Sequence, residues 1–177
     1  MNKEDSVMAL SPNKKQKTKS LNVGVRELKR TDLSQLLCIE ALNSQKILPD
    51  GSIWDQKDFL RIFRKMDHAG LVAYKKNLKI NKILGFLLYN FSLPKIKIIT
   101  VVVHPDFEGQ GVGTALVSSM KSNLKNGFTD LEICVREKNM KAQYWLKKQQ
   151  FRAVKVVFNY FDDEDAFKFR YINNGIE

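Results

Sequence analysis

Three glycines at alternate positions, Gly109, Gly111 and Gly113, stand between a β-branched segment and an amphipathic one. Glycine has no Cβ, so a backbone built from it can approach a large ligand closely. The loop leads directly into a predicted helix, so the unpaired N–H groups of the helix start and the positive end of its dipole face the same space. Such a site binds phosphate or pyrophosphate. The spacing therefore predicts that the chain binds a phosphorylated cofactor.

Two common phosphate-binding patterns do not fit this loop. The dinucleotide-binding pattern needs glycine where this chain has Thr114, and it belongs on the first βα turn of its domain, whereas more than half of this chain precedes Gly109. A Walker loop would place lysine after its last glycine, where this chain again has Thr114. A tight turn without a ligand is disfavoured by the strand before the loop and the helix after it. The prediction is a phosphorylated cofactor bound by a pattern of another kind.

The segments around this loop resemble the acetyl-CoA-binding motif of the GNAT superfamily of N-acetyltransferases. The family pattern is a strand, Asp or His before Pro, a glycine-rich loop and a helix, and this chain has Val101–Pro105 followed by Glu108–Leu116. The second motif of the family is similar to Val135–Ala142 and Phe151–Val154. Asn159–Ala166 resembles the RimI-type branch, which acetylates protein N-terminal α-amines.

The resemblance implies how the co-substrate acetyl-CoA would be held. Its pantetheine arm would pair with backbone groups of the central strand, and one amide there would face the oxyanion; these positions are Val101, Val102 and Val103. Its pyrophosphate would lie on the loop residues Gly109, Gln110, Gly111, Val112, Gly113 and Thr114. Asn139 matches the family asparagine near the thiol arm. Ordinary core packing of the valines and simple helix capping by Asn139 are the alternatives, and both are compatible with binding.

The acid–base residues of the branch are replaced in this chain. Alignment through Asn139 places Cys134 where the branch has its general-base glutamate, and Leu146 where it has its general-acid tyrosine. Leucine carries no proton, and a buried thiol is usually inert. Glu132 lies two residues before Cys134 and hence on the same face of the strand, so it is a candidate base, directly or through water. The alternative is that Glu132 is an exposed strand residue outside the reaction.

Four further positions bear on the predicted site. Tyr144 is two residues from the expected tyrosine, about 200° round a helix, so it should point away from the site. Tyr160 matches a tyrosine of the branch that positions the incoming peptide, although a packing role at a strand end would also explain it. Glu108 stands where Arg or Gln is usual and would repel the phosphates. Gln150 replaces the glycine that usually precedes the phenylalanine, so a different turn is expected there.

Periodicity and capping residues predict the order β-α-α-β-β-β-α-β-α-β-β. The predicted strands are 22–28, 70–75, 82–92, 95–103, 131–135, 151–159 and 166–172, and the predicted helices run from Thr31 or Asp32 to Leu42 and over 54–66, 111–124 and 139–148, with a turn at 77–81. Segment 95–103 is so rich in β-branched residues that it predicts a buried central strand. The order agrees with the resemblance, which implies an α/β fold: a GNAT-like, mixed, mostly antiparallel sheet with helices on both faces.

Composition narrows the class of protein. The chain has 177 residues, of which 44% are hydrophobic and 28% charged, as expected for one globular domain. Residues 1–21 are polar and lysine-rich and predict a disordered basic tail, followed by an acetyltransferase domain over 22–177. No apolar run approaches a membrane span, and the first residues do not resemble a secretory signal. Two isolated cysteines and two isolated histidines give no metal-ligand spacing, so we expect a reduced cytoplasmic protein without metal.

The net charge of +11 bears on partners. Five lysines and two acids place +3 of it in residues 1–20, and the rest is scattered over the domain. The charge forms no aromatic-lined strip and the sequence has no RNA-binding signature, so a solvated basic surface is favoured over direct nucleic-acid binding. Docking near a ribosome or binding the phosphates of CoA would use the same charge.

Three hypotheses follow, from different classes of protein. The main one is an acetyl-CoA-dependent N-acetyltransferase that acts on a protein or peptide N-terminus, which could belong to a ribosomal protein, by direct attack in a ternary complex. The second is a degenerate member of the same fold that binds CoA or a partner without turnover, and Cys134, Leu146 and Glu108 motivate it. The third is a protein that associates with RNA or the ribosome through its basic tail.

Overall fold

The computed structural model describes residues 21–44, 54–76, 82–124, 127–161 and 164–173. Within these residues the chain forms seven strands and four α-helices. In chain order they are β1 (Val23–Glu27), α1 (Leu33–Ser44), α2 (Gln56–Arg64), β2 (His68–Lys75), β3 (Ile83–Ser92), β4 (Lys95–Val103), α3 (Val112–Ser122), β5 (Asp130–Arg136), α4 (Met140–Lys148), β6 (Arg152–Phe161) and β7 (Glu164–Ile172). The predicted order is confirmed. The predicted turn at 77–81 and all of the predicted tail except Leu21 lie outside the described residues.

The strands form one sheet in the order β1-β2-β3-β4-β5-β7-β6. In the described residues β4 and β5 pair in parallel, and every other neighbouring pair is antiparallel. The prediction of a mixed, mostly antiparallel sheet is therefore confirmed. No α-helix in the described part of the chain has the length and apolar character needed to span a membrane.

Alternate residues of the central strands belong to two apolar cores, one on each face of the sheet. On one face α1 and α2 cover Phe86, whose ring meets that of Phe59 in α2 with centroids 5.6 Å apart. On the other face Leu87 packs with Leu116 of α3, and both are fully buried. Side chains alternate along a strand, so helices are needed on both faces to cover these neighbouring residues.

Helix α1 begins at Leu33, directly after Asp32, which is one of the two residues predicted as its cap. A short 3₁₀ turn, Arg30–Asp32, precedes α1. The Asp32 carboxylate accepts hydrogen bonds from the backbone N–H of Lys29 at 2.8 Å and from the Arg26 guanidinium at 2.7 and 2.8 Å. Asp32 therefore joins the start of α1 to β1, because the fold brings the Arg26 guanidinium within reach.

Strands β4 and β5 diverge halfway along their length. Their pairing in the described residues covers Lys95–Ile98 on β4 and Asp130–Ile133 on β5. The register between β3 and β4 shifts at the same level, where Ile99 is an extra residue on β4. The second half of β4 is consequently half-buried, although its composition predicts a buried strand. A gap between two central strands is thus built into the sheet.

Candidate active site

The glycine loop has the open geometry that a phosphate site needs. Gly109 and Gly111 have φ values of +72° and +85°, a left-handed conformation that L-residues with a Cβ rarely adopt. A Cβ built on either would meet nothing within 4 Å, so the space directly beside these two residues is open. The helical hydrogen bonds of α3 begin with Ala115 N–H donating to the Gly111 carbonyl at 2.9 Å. The amides before Ala115 form the first turn, where helix geometry leaves N–H groups for a ligand.

The third glycine serves packing. A Cβ at Gly113 would lie 3.3 Å from the indole ring of Trp145 in α4. The hydroxyl oxygen of the next residue, Thr114, accepts hydrogen bonds from Trp145 Nε1 at 3.5 Å and Gln149 Nε2 at 3.2 Å. Gly113 and Thr114 therefore join α3 to α4, and what they offer a pyrophosphate is backbone N–H groups.

Two other loop residues predicted to bind the cofactor have side chains that the fold already uses. The Gln110 amide donates to the Asp106 carbonyl at 2.8 Å. The Val112 side chain is 1% exposed and belongs to the core, so only its backbone can face a ligand. Their role in cofactor binding stays a prediction, and for Val112 it is confined to the backbone.

The acidic residue in the loop is neutralised across the fold. Glu108 accepts a hydrogen bond from Lys141 Nζ at 2.7 Å, and Lys141 lies in the first turn of α4. The sequence predicts that Glu108 repels phosphates, and this ion pair offsets its charge. Because 33 residues separate the partners, no local pattern reveals the pair.

The backbone of β4 is divided between its neighbour β3 and the gap. Val102 lies opposite Phe86 on β3. Two residues further on, the N–H of His104 donates to the carbonyl of Leu84 at 2.8 Å, so His104 and Leu84 form a hydrogen-bonded pair. Every second pair of opposite residues in an antiparallel ladder is hydrogen-bonded, so Val102 and Phe86 form such a pair too, and the N–H and C=O of Val102 bond to β3. Those of Val101 and Val103 face the gap. The cofactor-pairing role predicted for three valines is thus available to two of them.

Helix α1 is attached to the same strand end by a side-chain amide. Asn43 Nδ2 donates to the Val103 carbonyl at 3.1 Å and to the Ile39 carbonyl in its own helix at 2.9 Å. Asn43 is buried, with 5% of its surface exposed. This contact occupies the Val103 carbonyl and holds the end of β4, which borders the gap, against α1. No pattern around Asn43 in the sequence predicts this role.

The positions of the branch's acid and base lie in different surroundings. Cys134 on β5 is half-buried, whereas Leu146 on α4 is 1% exposed and belongs to the core. Tyr144 is 63% exposed and lies beside Lys148, whose Nζ is 4.5 Å from the ring centroid. Tyr144 therefore points away from the sheet, as predicted. Leu146 supplies packing and carries no proton.

Glu132 is held by two lysines. Its carboxylate accepts hydrogen bonds from Lys95 Nζ at 2.8 Å and Lys168 Nζ at 3.1 Å. Burial by itself raises the pKa of Glu132, but the hydrogen bonds and charges of Lys168 and Lys95 outweigh it, so the pKa is lowered. A carboxylate with a lowered pKa is a weak base at neutral pH. The predicted general-base role of Glu132 stays a prediction, and these ion pairs weigh against it.

Glu132→Gln is expected to lower kcat by less than about tenfold, because the paired carboxylate is a weak base. The rate should then rise with pH towards about 8, the pKa of an α-amine. A pH–rate profile of the variant and the parent measures this. A loss of ~10²- to 10⁴-fold at unchanged acetyl-CoA affinity would instead identify Glu132 as the base.

Cys134→Glu is the complementary variant. It restores the residue of the branch and should raise the rate if the chain lacks an efficient base. Lys168 lies opposite Cys134 in the strand register, and a cation nearby would limit the gain by lowering the pKa of the new carboxyl. If both variants leave the pH–rate profile unchanged, neither position carries the proton transfer.

Asn139 and Tyr160 occupy the ends of two elements near the gap. The Asn139 side chain accepts a hydrogen bond from Ala142 N–H at 3.0 Å and caps α4, which confirms the capping prediction. The Tyr160 ring lies 5.4 Å from Lys97 Nζ, and Lys97 is on β4. The contact places Tyr160 on the face of the sheet that carries Lys97. That Asn139 contacts the cofactor stays a prediction. That Tyr160 contacts a peptide stays one as well.

Comparison with known proteins identifies the class. The sequence matches the acetyltransferase (GNAT) family over residues 33–151, more than half of the chain, so the chain belongs to this family. No curated protein sequence matches it. Family members use acetyl-CoA, which is therefore the co-substrate of this acetyltransferase.

Solved structures with the same fold include N-acetyltransferases. The ribosomal-protein-S18-alanine N-acetyltransferase from Escherichia coli is 21% identical with a TM-score of 0.73, and the match covers 88% of this chain and 96% of that one. NAA60 from Arabidopsis thaliana, in complex with a bisubstrate analogue, is 17% identical with a TM-score of 0.72, with 88% and 100% covered. Ard1 from Thermoplasma volcanium is 20% identical with a TM-score of 0.70, with 86% and 98% covered.

The residues present fit acetyl-CoA. Gly109 and Gly111 leave a cradle that any Cβ would begin to fill, and helix geometry leaves the N–H groups of the first turn of α3 for a ligand there. The gap between β4 and β5 leaves the backbone of Val101 and the N–H of Val103 for an extended ligand such as a pantetheine arm. When bound, acetyl-CoA supplies the thioester from which the acetyl group is transferred.

Proposed function

We propose that the chain transfers acetyl from acetyl-CoA to the N-terminal α-amine of a protein or peptide, by direct attack in a ternary complex. The observation that carries this proposal is the gap between β4 and β5, with the open glycine loop at one end and the half-buried Cys134 beside it. The fold shared with the ribosomal-protein-S18-alanine N-acetyltransferase supports a protein amine as acceptor, including that of a ribosomal protein. A cytoplasmic location stays a prediction.

The chain's own contribution to the reaction is positioning and charge stabilisation. A backbone amide of Val101 or Val103 facing the gap would stabilise the negative charge that develops on the carbonyl oxygen. The Asn43 contact with the Val103 carbonyl keeps this strand end in place, so the donor is present before the substrate binds. Holding two reactants in one geometry can by itself supply much of the rate. The amine must be neutral when it attacks, so an α-amine with a pKa of about 8 is suited to this site without a strong base.

A second candidate function is binding of acetyl-CoA without turnover. The observation that favours it is the chemistry of Cys134 and Leu146, of which the second is buried in the core. In this case calorimetry would detect acetyl-CoA binding, and no amine would be acetylated.

The experiment that separates the two functions uses radiolabelled acetyl-CoA and an array of peptides. Half carry a free N-terminus and no lysine, and half carry a blocked N-terminus and one internal lysine. We expect label on the first set, which would identify α-amine transfer. Label on the second set alone would identify the lysine side chain as the acceptor. Binding by calorimetry without label on either set would support the non-catalytic function.

A further inference from the structure

The face of the sheet below the gap carries more positive than negative charge. Lys95, Lys97 and Lys168 lie there around one carboxylate, Glu132, which hydrogen-bonds to the first and the third of them. Lys97 lies beside Glu132 in the parallel register of β4 and β5. This group of four residues, the basic floor, therefore has two positive charges in excess.

Lys97 is the lysine of the basic floor that lies outside these ion pairs. Among the described residues no carboxylate oxygen lies within 4 Å of its Nζ, which faces the ring of Tyr160 at 5.4 Å. The polar interaction with the Tyr160 side chain, together with the Glu132 carboxylate, raises the pKa of Lys97 despite partial burial. Lys97 is therefore charged at neutral pH and has N–H donors left for a ligand.

An open cavity of about 470 Å³ adjoins Lys97 between β4 and α2. Its lining includes Trp54, Arg61, Lys65, Lys97 and Ile99. The acid in the lining, Asp58, is used by the fold, because it pairs with Arg61 at 3.2 Å and accepts from Asp55 N–H at 3.2 Å. No carboxylate in the described residues lies within 4 Å of Lys65. The cavity thus presents cations that a carboxylate would neutralise.

The distance along β4 relates this cavity to the reacting amine. Val101, whose backbone faces the gap, lies four residues beyond Lys97, or about 13 Å at the rise of a strand. An extended peptide covers this distance in about four residues, and the length of the lysine side chain shortens what is needed. The α-carboxylate of a free amino acid is only one residue from its amine and would not reach. An acidic side chain early in a peptide would reach.

We infer that the acceptor is a peptide N-terminus with aspartate or glutamate within its first four residues, and that Lys97 binds this carboxylate. The inference rests on the proposed function and names the substrate class of the same site. Lys97 determines specificity in it. Lys65 also lines the cavity and adds to its positive potential, whereas the charge of Arg61 is balanced by Asp58.

The test compares peptides of equal length that begin with alanine and carry glutamate or glutamine at the second, third or fourth position. We expect kcat/KM to be at least about tenfold higher for glutamate at one of these positions, as one charge-assisted hydrogen bond in a partly desolvated site would give. Equal rates for glutamate and glutamine, or higher rates with lysine at these positions, would overturn the inference. Faster acetylation of free glutamate than of any peptide would overturn it as well.

Variants assign the preference to Lys97. Lys97→Met should bring the glutamate-to-glutamine ratio close to one, and Lys97→Arg should keep most of it because the charge remains. Lys147→Met is the matched control, since Lys147 is an exposed lysine on α4, which covers the other face of the sheet. A ratio unchanged in Lys97→Met would remove Lys97 from the proposal.

Binding measurements separate this inference from the proposed function. Fluorescence anisotropy of the labelled glutamate and glutamine peptides, with CoA present, needs no turnover. Tighter binding of the glutamate peptide without acetylation of any amine would support the inference while the proposed transfer fails. Equal binding of both peptides would overturn the inference even in an active enzyme.

Discussion

Gly111→Val is expected to raise the Kd for acetyl-CoA at least about 100-fold while the protein stays folded. Gly111 is the N-cap of α3 at φ +85°, and the space above it holds no protein atom within 4 Å of a built Cβ. A branched side chain would therefore extend into this open space, where the pyrophosphate is predicted to lie. The left-handed conformation costs a residue with a Cβ about 1–2 kcal/mol, which a domain of this size can tolerate. Calorimetry gives the affinity, and circular dichroism confirms the fold.

Gly127→Ala and Gly111→Ala form a matched pair for this prediction. Both glycines have positive φ, +87° and +85°, so both substitutions cost similar backbone strain. Gly127 follows α3 at its other end, outside the predicted cofactor loop. We expect Gly111→Ala to weaken acetyl-CoA binding and Gly127→Ala to leave it unchanged. A folded Gly111→Val protein with parental affinity would show that the loop is only a turn.

Glu40→Gln is expected to change the pH dependence of stability by about 2 kcal/mol between about pH 5.5 and pH 8.5. Glu40 lies on α1 with 8% of its surface exposed, and among the described residues no cation lies within 4 Å of it. Burial raises the pKa of Glu40 from 4.5 to about 7. The folded state therefore holds a proton that the unfolded state releases, so parental stability falls as pH rises from 4.5 to about 7. Glutamine does not titrate and removes this loss.

Denaturant unfolding at several pH values measures the difference between parent and variant. The constant cost or gain of the substitution cancels when two pH values are compared, so only the titration of Glu40 remains. Glu40→Leu is the control, because it does not titrate either and should show the same pH dependence as Glu40→Gln. A parent and variant that lose stability in parallel would mean that Glu40 is ionised in the folded protein.

The fold was predictable because its signals are local. The β-branched run of β4, the N-cap at Asn139 and the glycine loop each lie within a few neighbouring residues, and all three are present in the structure. Strand and helix periodicity gave the element order for the same reason. The ion pair of Asp32 at the start of α1 was not predicted, because it depends on Arg26, a residue of another element.

The site was predictable only where the backbone forms it. The left-handed glycines and the position of β4 follow from local sequence. The use of each side chain does not, as the loop shows: Gly113 is small because of Trp145, and Glu108 is paired with Lys141. Glu132, on which general-base chemistry was predicted from strand alternation, lies between two lysines from other strands.

The sequence by itself determined the family, the order of elements and the glycine loop, because these depend on residue type and spacing within short segments. Tertiary structure decided which backbone groups face the gap, since this follows from the β3–β4 register and from the divergence of β5. It also lowered the pKa of Glu132, raised the pKa of Glu40 to about 7, and placed Lys97 beside an open cavity. Charge, burial and access are properties of residues that are distant in the chain, and only folding brings those residues together.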